Sequence, residues 1–355
     1  MRKHPWIHSP LADGVFVLSP PLLGLLLIFL FPQWFGEQQP VSTAAWVILV
    51  LCIDVAHVYS TLYRTYFDKK LMHERRWLLL GIPAVCYVAG VLLCLAGMQW
   101  FWRVMAYIAV FHFVRQQYGF MRIYSRREAR SWMRRLDAVV IYATMLYPLL
   151  WWHLHPGRDF HWFVAGDFVQ TNVPAEHISF AAGLVYLALM LAWAIKEVWQ
   201  FAAKGIFNLP RTVLVAGTAL SWYFGIVYFN GDMTFTLLNV VSHGIPYMAL
   251  IWFYGRRTYT APAQPWLQKL FSVRMLAVFA GLLLVFAFAE EWLWDALVWQ
   301  ERPEVFGSAG INVFEGNGEM LALIVPLLAL PQVTHYVLDG FIWRISKDER
   351  VQQML

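Results

Sequence analysis

The chain has 355 residues, of which 60% are hydrophobic, only 14% are charged and 19 are tryptophan, a balance far from that of a water-soluble domain. Its formal charge of +5 invites nucleic acid as a partner. However, the basic residues sit in short loops between apolar segments, a pattern that reports membrane topology and argues against nucleic acid.

About ten segments approach the ~20 residues that a membrane-crossing helix needs. The first runs from Val15 to Phe35, with Pro20 and Pro21 marking its first turn. The second covers Ala44 to Tyr66, the third Trp77 to Ala96, the fourth Gln99 to Met121 and the fifth Leu136 to Trp152. The sixth is Ile178 to Phe201, the seventh Thr212 to Phe229 and the eighth Met233 to Gly255, these last two joined in a tight hairpin by Asn230-Gly231-Asp232. Met275 to Trp299 and Met320 to Trp343 complete the set. The expected fold is therefore an all-α, polytopic membrane bundle forming one transmembrane domain over 1–355. Arg2 and Lys3 precede an apolar segment without a small-residue cleavage site, so no cleavable signal is expected. Cys52, Cys86 and Cys94 lie inside apolar segments and have no C-x-x-C spacing, which argues against a disulfide framework or a thiolate metal site.

Loop charge orients the set. If the spans alternate, Arg2, Lys3, Lys69, Lys70, Arg75, Arg76, Arg122, Arg126, Arg127, Arg130, Arg134 and Arg135 fall on one side. Lys204, Arg211, Arg256, Arg257, Lys269, Arg274, Arg344, Lys347 and Arg350 join them. The opposite loops hold Glu37, Asp159, Asp167, Glu176, Asp232, Glu301, Glu304 and Glu315 against only Arg158 and Arg302. The positive-inside rule puts both termini in the cytoplasm and the protein, for a bacterial host, in the inner membrane. The loop from Thr258 to Ser272, with Trp266, Leu267 and Phe271 beside Lys269, has the composition of a segment lying along the inner membrane surface.

Four histidines then stand out. His57, His112, His243 and His335 occupy the second, fourth, eighth and tenth spans, all running from outside to inside. They precede the next basic loop by twelve, ten, thirteen and nine residues, which at 1.5 Å per residue puts them within about 6 Å of one another in depth. Each has polar company at helical spacing. Asp54 lies three residues before His57, Asn239 four before His243, Gln332 three before His335 and Asp339 four after it, while Arg115 and Gln116 follow His112. A single histidine in such a place is as often a hydrogen-bonding strut between helices. Four ionisable groups at one level of a membrane are costly to bury and point to a metal or cofactor site.

Neutral imidazoles beside carboxylates suit iron, zinc or copper. A histidine-rich iron site with an open position suits O2 activation, so the expected ligands are His57, His112, His243 and His335. Asp54 and Asp339 would serve as additional ligands or as acceptors for the imidazole N–H groups. Tyr247 and Tyr336 adjoin the level and are candidate hydrogen-bond donors to a metal-bound oxygen. One iron or two fit this donor set. Haem is the rival, since histidines are also its axial ligands. A proton-coupled transporter is a second rival, although no internal repeat is evident.

The stretch Leu330-Pro331-Gln332-Val333-Thr334-His335, with Leu338-Asp339-Gly340-Phe341-Ile342-Trp343-Arg344 after it, resembles the closing segment of the bacterial and archaeal membrane β-carotene 15,15′-dioxygenases of the Brp/Blh type. Val110-Phe111-His112-Phe113 is similar to that family's second histidine segment, and Ser242-His243 to its third. The resemblance implies a helical membrane bundle that holds non-haem iron through histidines, His57, His112 and His243 among them, and uses O2 to cleave a double bond of a long isoprenoid. Where the family's first motif reads His-Gly-Ala-x-Asp, this chain has His57-Val58-Tyr59-Ser60-Thr61, with its acid at Asp54. Where the third segment has a second histidine four residues on, this chain has Tyr247, which leaves His335 or Asp339 to supply the remaining ligand.

Three further groups carry weaker signals. His153 and His155, with Trp151 and Trp152 beside them, read as an interfacial anchor. Glu290 and Glu291 lie deep in the ninth span and read as a proton path, a substrate contact or the lining of a wet crevice. Arg64, Thr65, Tyr66 and Asp68, with Arg115, form a candidate cradle for an anionic head group. The functional expectation is a membrane oxidoreductase that acts with O2 on a hydrophobic isoprenoid or lipid, with membrane lipid as its surroundings and an electron donor that the sequence does not specify.

Overall fold

A computed structural model describes residues 4–36, 41–129, 131–171, 175–260, 264–307, 318–343 and 348–354. Arg2, Lys3, Glu37, Arg130, Glu315, Arg344 and Lys347 of the charge pattern lie outside the described residues. Among the described residues the regular structure is entirely helical. The main helices are α1 (Pro10–Leu18), α2 (Pro20–Leu30), α3 (Thr43–Arg64), α4 (Arg76–Ala96), α5 (Met98–Tyr124) and α6 (Trp132–Leu154). They continue with α7 (Ala175–Lys204), α8 (Leu209–Trp222), α9 (Asp232–Thr258), α10 (Val273–Trp299), α11 (Gly318–Leu328) and α12 (Leu330–Ile342).

Each of the ten apolar segments read from the sequence falls on one of these helices or on a bent pair. Five of them, α3, α4, α7, α9 and α10, are long and apolar enough to cross a membrane, and seven spans result if each bent pair counts as one. The bends have chemical causes. Pro20 and Pro21 have no N–H to return to the carbonyls one turn back, and α1 meets α2 at 54°. Pro331 likewise leaves the preceding turn short of a donor, and α11 meets α12 at 44°. Leu184, Leu187, Leu191, Ile195 and Val198 make an exposed apolar stripe along α7. Water would not tolerate a stripe of that length, whereas lipid favours it.

The chain divides into two compact units, one of residues 1–40 and 113–246, the other of 41–112 and 247–354. Both cuts fall inside continuous helices, between His112 and Phe113 in α5 and between Pro246 and Tyr247 in α9. In the first unit α6 packs on α7 and α8, and α8 packs on α2, where a Cβ added to Gly217 would lie 3.0 Å from Pro21. A buried ion network ties its helices together. Lys196 bonds both Asp137 and Glu197, and Arg211 bonds Glu197 and reaches Glu128 at 2.6 Å and Asp137 at 3.2 Å.

In the second unit α4 packs on α11 and α12, and α3 packs on α10 and α12. A Cβ on Gly90 of α4 would fall 2.8 Å from Pro326 of α11, so only glycine permits that approach. Gly97, at φ +144°, closes α4 in a conformation that other residues rarely adopt and turns the chain directly into α5. Helix α3 starts under the side-chain cap of Ser42 and runs as a π-helix from Val47 to Val55, then as an α-helix from Ala56. The wider π turns carry Asp54 and shift the register immediately before His57, in a geometry that recurs near functional sites.

The cluster Arg64, Thr65, Tyr66 and Asp68 is not an anion cradle. Arg64 is only 1% exposed and lies between the rings of Tyr254 and Trp343, at 4.1 and 4.0 Å from their centroids. Its guanidinium donates to Asp348, 3.0 Å away, and to the Ile342 carbonyl. Asp68 caps the short helix Lys69–Glu74 and pairs with Arg350, while Arg115 donates to the Tyr142 hydroxyl. These cations already have partners, and Arg64 ties the C-terminal segment down.

Candidate metal centre

Three of the four histidines meet inside the second unit. His57 from α3, His112 from α5 and His335 from α12 are 1%, 3% and 1% exposed. Each offers a ring nitrogen, and these nitrogens lie within 4.8 Å of one another. The rings of His57 and His335 stand edge to face at 5.0 Å between centroids, and those of His112 and His335 at 4.5 Å. Three imidazoles from three helices thus converge on one point although their positions in the sequence are far apart.

A chain of hydrogen bonds sets the tautomer of one of them. The Tyr247 hydroxyl donates to Asp339 Oδ1 at 2.6 Å. Having spent its proton, it accepts from Thr61 Oγ1 at 2.9 Å. Thr61 in turn has only lone pairs left for His335 Nδ1, 2.7 Å away, so that nitrogen carries the proton. The opposite nitrogen, Nε2, is then a bare lone pair, and it is buried with no hydrogen-bond partner. An acceptor that fixes Nδ1–H and frees Nε2 is the usual support of a metal-bound histidine.

Asp339 lies between two of the rings. Its Oδ2 is 3.7 Å from His112 Nδ1 and its Oδ1 is 3.8 Å from His335 Nδ1. These are electrostatic contacts rather than hydrogen bonds. Asp54 Oδ1 stands 3.7 Å from His57 Nδ1, and the Asp54 side chain is 39% exposed, well above the histidines. Both carboxylates border the imidazoles. The ring of Tyr336 lies 5.0 Å from that of His112, and the ring of Tyr247 lies 4.9 Å from that of His335. The Tyr247 hydroxyl is engaged by Asp339 and Thr61, as above.

His243 belongs to the first unit, where its ring stacks on Phe113 at 3.5 Å and 9°. Phe113 is the residue after His112, and Tyr247 follows His243 by one turn of α9. The local structure of α9 has a clear cause. Pro246 cannot donate to the Ser242 carbonyl one turn back. Gln117 supplies the missing N–H at 3.0 Å, and Gln116 donates to the neighbouring His243 carbonyl at 2.9 Å. Inside a membrane a freed carbonyl needs such a substitute, and here it fixes the stretch that carries His243.

Most of the polar company expected from helical spacing is used elsewhere. Gln332 donates to Glu290, not to His335, and Asn239 donates to the Phe235 carbonyl, not to His243. Glu290 also accepts from Tyr59. The partner that matters for His335 is Thr61, one turn after His57. Its signal was a hydroxyl at i+4 from a histidine on an otherwise apolar helix. His153 and His155 each donate through Nδ1 to a carbonyl one turn back, at 2.6 and 2.7 Å, and His155 stacks on Trp151 at 3.9 Å. That is the arrangement of a helix-end anchor. No protein-family model, curated protein or solved structure matches the chain.

Proposed function

We propose that this chain is a membrane-embedded oxygenase holding non-haem iron through His57, His112 and His335, with His243 as a fourth ligand, and acting with O2 on a hydrophobic isoprenoid or lipid. The observation that carries the reading is the convergence of three buried imidazoles whose ring nitrogens come within 4.8 Å, together with the bare Nε2 that its hydrogen bonds leave on His335. Imidazoles gathered this closely in a low-dielectric interior are costly to bury, and a cation held among them would offset that cost. Iron bound there would supply O2 activation, and imidazole ligands suit iron, zinc and copper alike.

The chain's own residues do the positioning. Thr61 holds the His335 ring in one tautomer and orientation, and Tyr247 passes that constraint on to Asp339. Asp339, between His112 and His335, supplies the negative charge that offsets a cation's charge. Asp54 and Asp339 stand ready as acceptors or as further ligands, for one ion or two. Tyr336, whose ring flanks His112, is the candidate hydrogen-bond donor within the site, whereas the Tyr247 hydroxyl, expected from the sequence to share that role, spends its proton on Asp339.

The same proposal gives the protein about ten spans of the cell inner membrane, with both termini cytoplasmic. Three helices that are not among the apolar spans, α5, α6 and α8, carry His112, Asp137 and Arg211. His112, Asp137 and Arg211 are themselves buried in protein, so they lower the mean hydropathy of these helices without facing lipid.

Elemental analysis and an optical spectrum of the detergent-purified protein test the reading, with His335→Ala and His243→Ala beside the wild type. Iron without a Soret band, lost in His335→Ala, is the expected result. Absence of any bound transition metal after anaerobic reconstitution would reject it, and retention of iron in His243→Ala would remove only the fourth ligand.

A further inference from the structure

Besides the histidines, the second unit holds a cavity of about 410 Å³ bounded by α3, α4, α11 and α12, within the usual size range of small-molecule sites. His335 and Thr61 are among the residues that line it, and so are Leu79 and Leu338, both fully buried. At its other limit are Leu80 of α4 and Leu327 of α11, which are 55% and 54% exposed. Both stand on apolar helix surfaces, and most of α4 is unburied. The cavity therefore runs from the lipid-facing flank of the unit to the histidine cluster. No charged residue lines it.

Its polar atoms form a short list. Tyr59 donates to Glu290, Tyr66 donates to the Leu79 carbonyl, and Thr61 is engaged by Tyr247 and His335. Two consecutive lining residues each carry a buried polar atom with no hydrogen-bond partner, Thr334 Oγ1 and His335 Nε2. A helical threonine normally returns its hydroxyl to the carbonyl one turn back. Thr334 does not, and an unsatisfied hydroxyl in such surroundings is destabilising.

We infer that this cavity seats the hydrocarbon chain of an uncharged, membrane-dissolved substrate, which enters sideways from the lipid between Leu80 and Leu327 and meets the Thr334 hydroxyl with its single polar group beside His335. The inference rests on the reading of His335 as part of the metal centre only for where the chain reacts. The lining requires a ligand that is apolar along its length, because any charge there would be buried without a partner. It requires at most one polar function, because Thr334 is the one side-chain hydroxyl left to serve it. Entry from the lipid follows from the position of the exposed rim on apolar helix surfaces, and it suits a molecule that never dissolves in water.

Full-length protein in nanodiscs is photolabelled with a diazirine-bearing C18 primary alcohol, with the matching diazirine alkane and with a diazirine phosphatidylcholine, and the labelled peptides are mapped alongside the metal content. The alcohol and the alkane should label peptides from 76–96 and 327–338. Leu80→Trp or Leu327→Trp, each at an exposed rim position that tolerates bulk, should cut that labelling at least tenfold and leave the metal content unchanged. Thr334→Val should weaken competition by octadecanol roughly fivefold, as loss of one hydrogen bond would, and leave alkane labelling as it was. Labelling that ignores both rim substitutions, or that comes from the phospholipid alone, overturns the inference even if metal is bound. Labelling that obeys them in a protein without metal upholds the cavity and rejects the oxygenase reading instead.

Discussion

Each unit buries a cluster of ionisable side chains, and the two clusters are built on opposite plans. In the first unit Lys196 and Arg211 sit among Asp137, Glu197 and Glu128, and every charge finds an opposite one within the protein. Trp193 adds a donor to Asp137 at 3.1 Å. The set is closed, and its work is to hold α6, α7 and α8 together. In the second unit the groups that meet are alike: three imidazoles, with Asp339 beside two of them. The hydrogen bonds there orient the rings without neutralising them. A closed set of opposite charges is sufficient for structure, while a cluster of like imidazoles is, on the reading proposed above, a place that an added cation would complete.

Substitutions separate the two plans sharply. The largest effect is expected for His112→Ala or His335→Ala, which should lower metal affinity by more than about 100-fold, since ligand loss exceeds the 10–100-fold typical of a supporting residue. The thermal midpoint of the metal-free protein should barely move, and a large fall would mean that the histidines are structural struts. Arg211→Met reverses the pattern. Three carboxylates would be left with one lysine, at a cost of about 3–5 kcal/mol, read as a lower unfolding midpoint in detergent with the metal stoichiometry of the folded fraction unchanged. Thr61→Val is the intermediate case. It keeps the shape of α3 but removes the acceptor for His335 Nδ1, and affinity should fall by about 10–100-fold with little change in stability. An equal loss of stability and affinity would contradict the tautomer argument.

The smallest effect concerns pH at the C-terminal segment. Burial raises the pKa of Asp68, but hydrogen bonds from Gln264, Leu71 and Tyr259 and the charge of Arg350 outweigh it and hold the carboxyl below its usual range. A lowered carboxyl pKa contributes stability above the unfolded value near ~3.9 and loses it as pH falls through the folded value. Limited proteolysis should therefore release the segment beginning at Asp348 earlier in acid than at neutral pH, and Asp68→Asn should remove most of that difference.

The helices were legible because hydrophobicity in long runs is a local property. All ten apolar segments lie on helices, and three of the four histidines picked out by their position in those segments meet in the second unit. Hydrogen-bond partners were not legible, because spacing on one helix cannot say what the neighbouring helix offers. Gln332 and Asn239 had the right spacing and serve Glu290 and the Phe235 carbonyl. Thr61 reaches His335 across 274 positions of sequence. Arg64 reads from the sequence as part of a cradle for an anionic head group because a basic residue at a span's end usually reaches the interface. It is buried instead because two aromatic rings and Asp348 from distant parts of the chain enclose it. The π turns of Val47–Val55 lie beyond any count made with 3.6 residues per turn.

The second unit is assembled from two separated stretches of chain, 41–112 and 247–354, and this sets the order of events during biogenesis. His57 and His112 enter the bilayer early, and their partner on α12 follows only after the whole intervening stretch has been made, an interval on the order of tens of seconds at ordinary rates of synthesis. Thr61 waits as long for the imidazole it will hold. If the histidines hold a metal as proposed, its loading is a late step, after α12 is in place, and a chain that stops short of His335 would insert most of its helices yet be unable to mature.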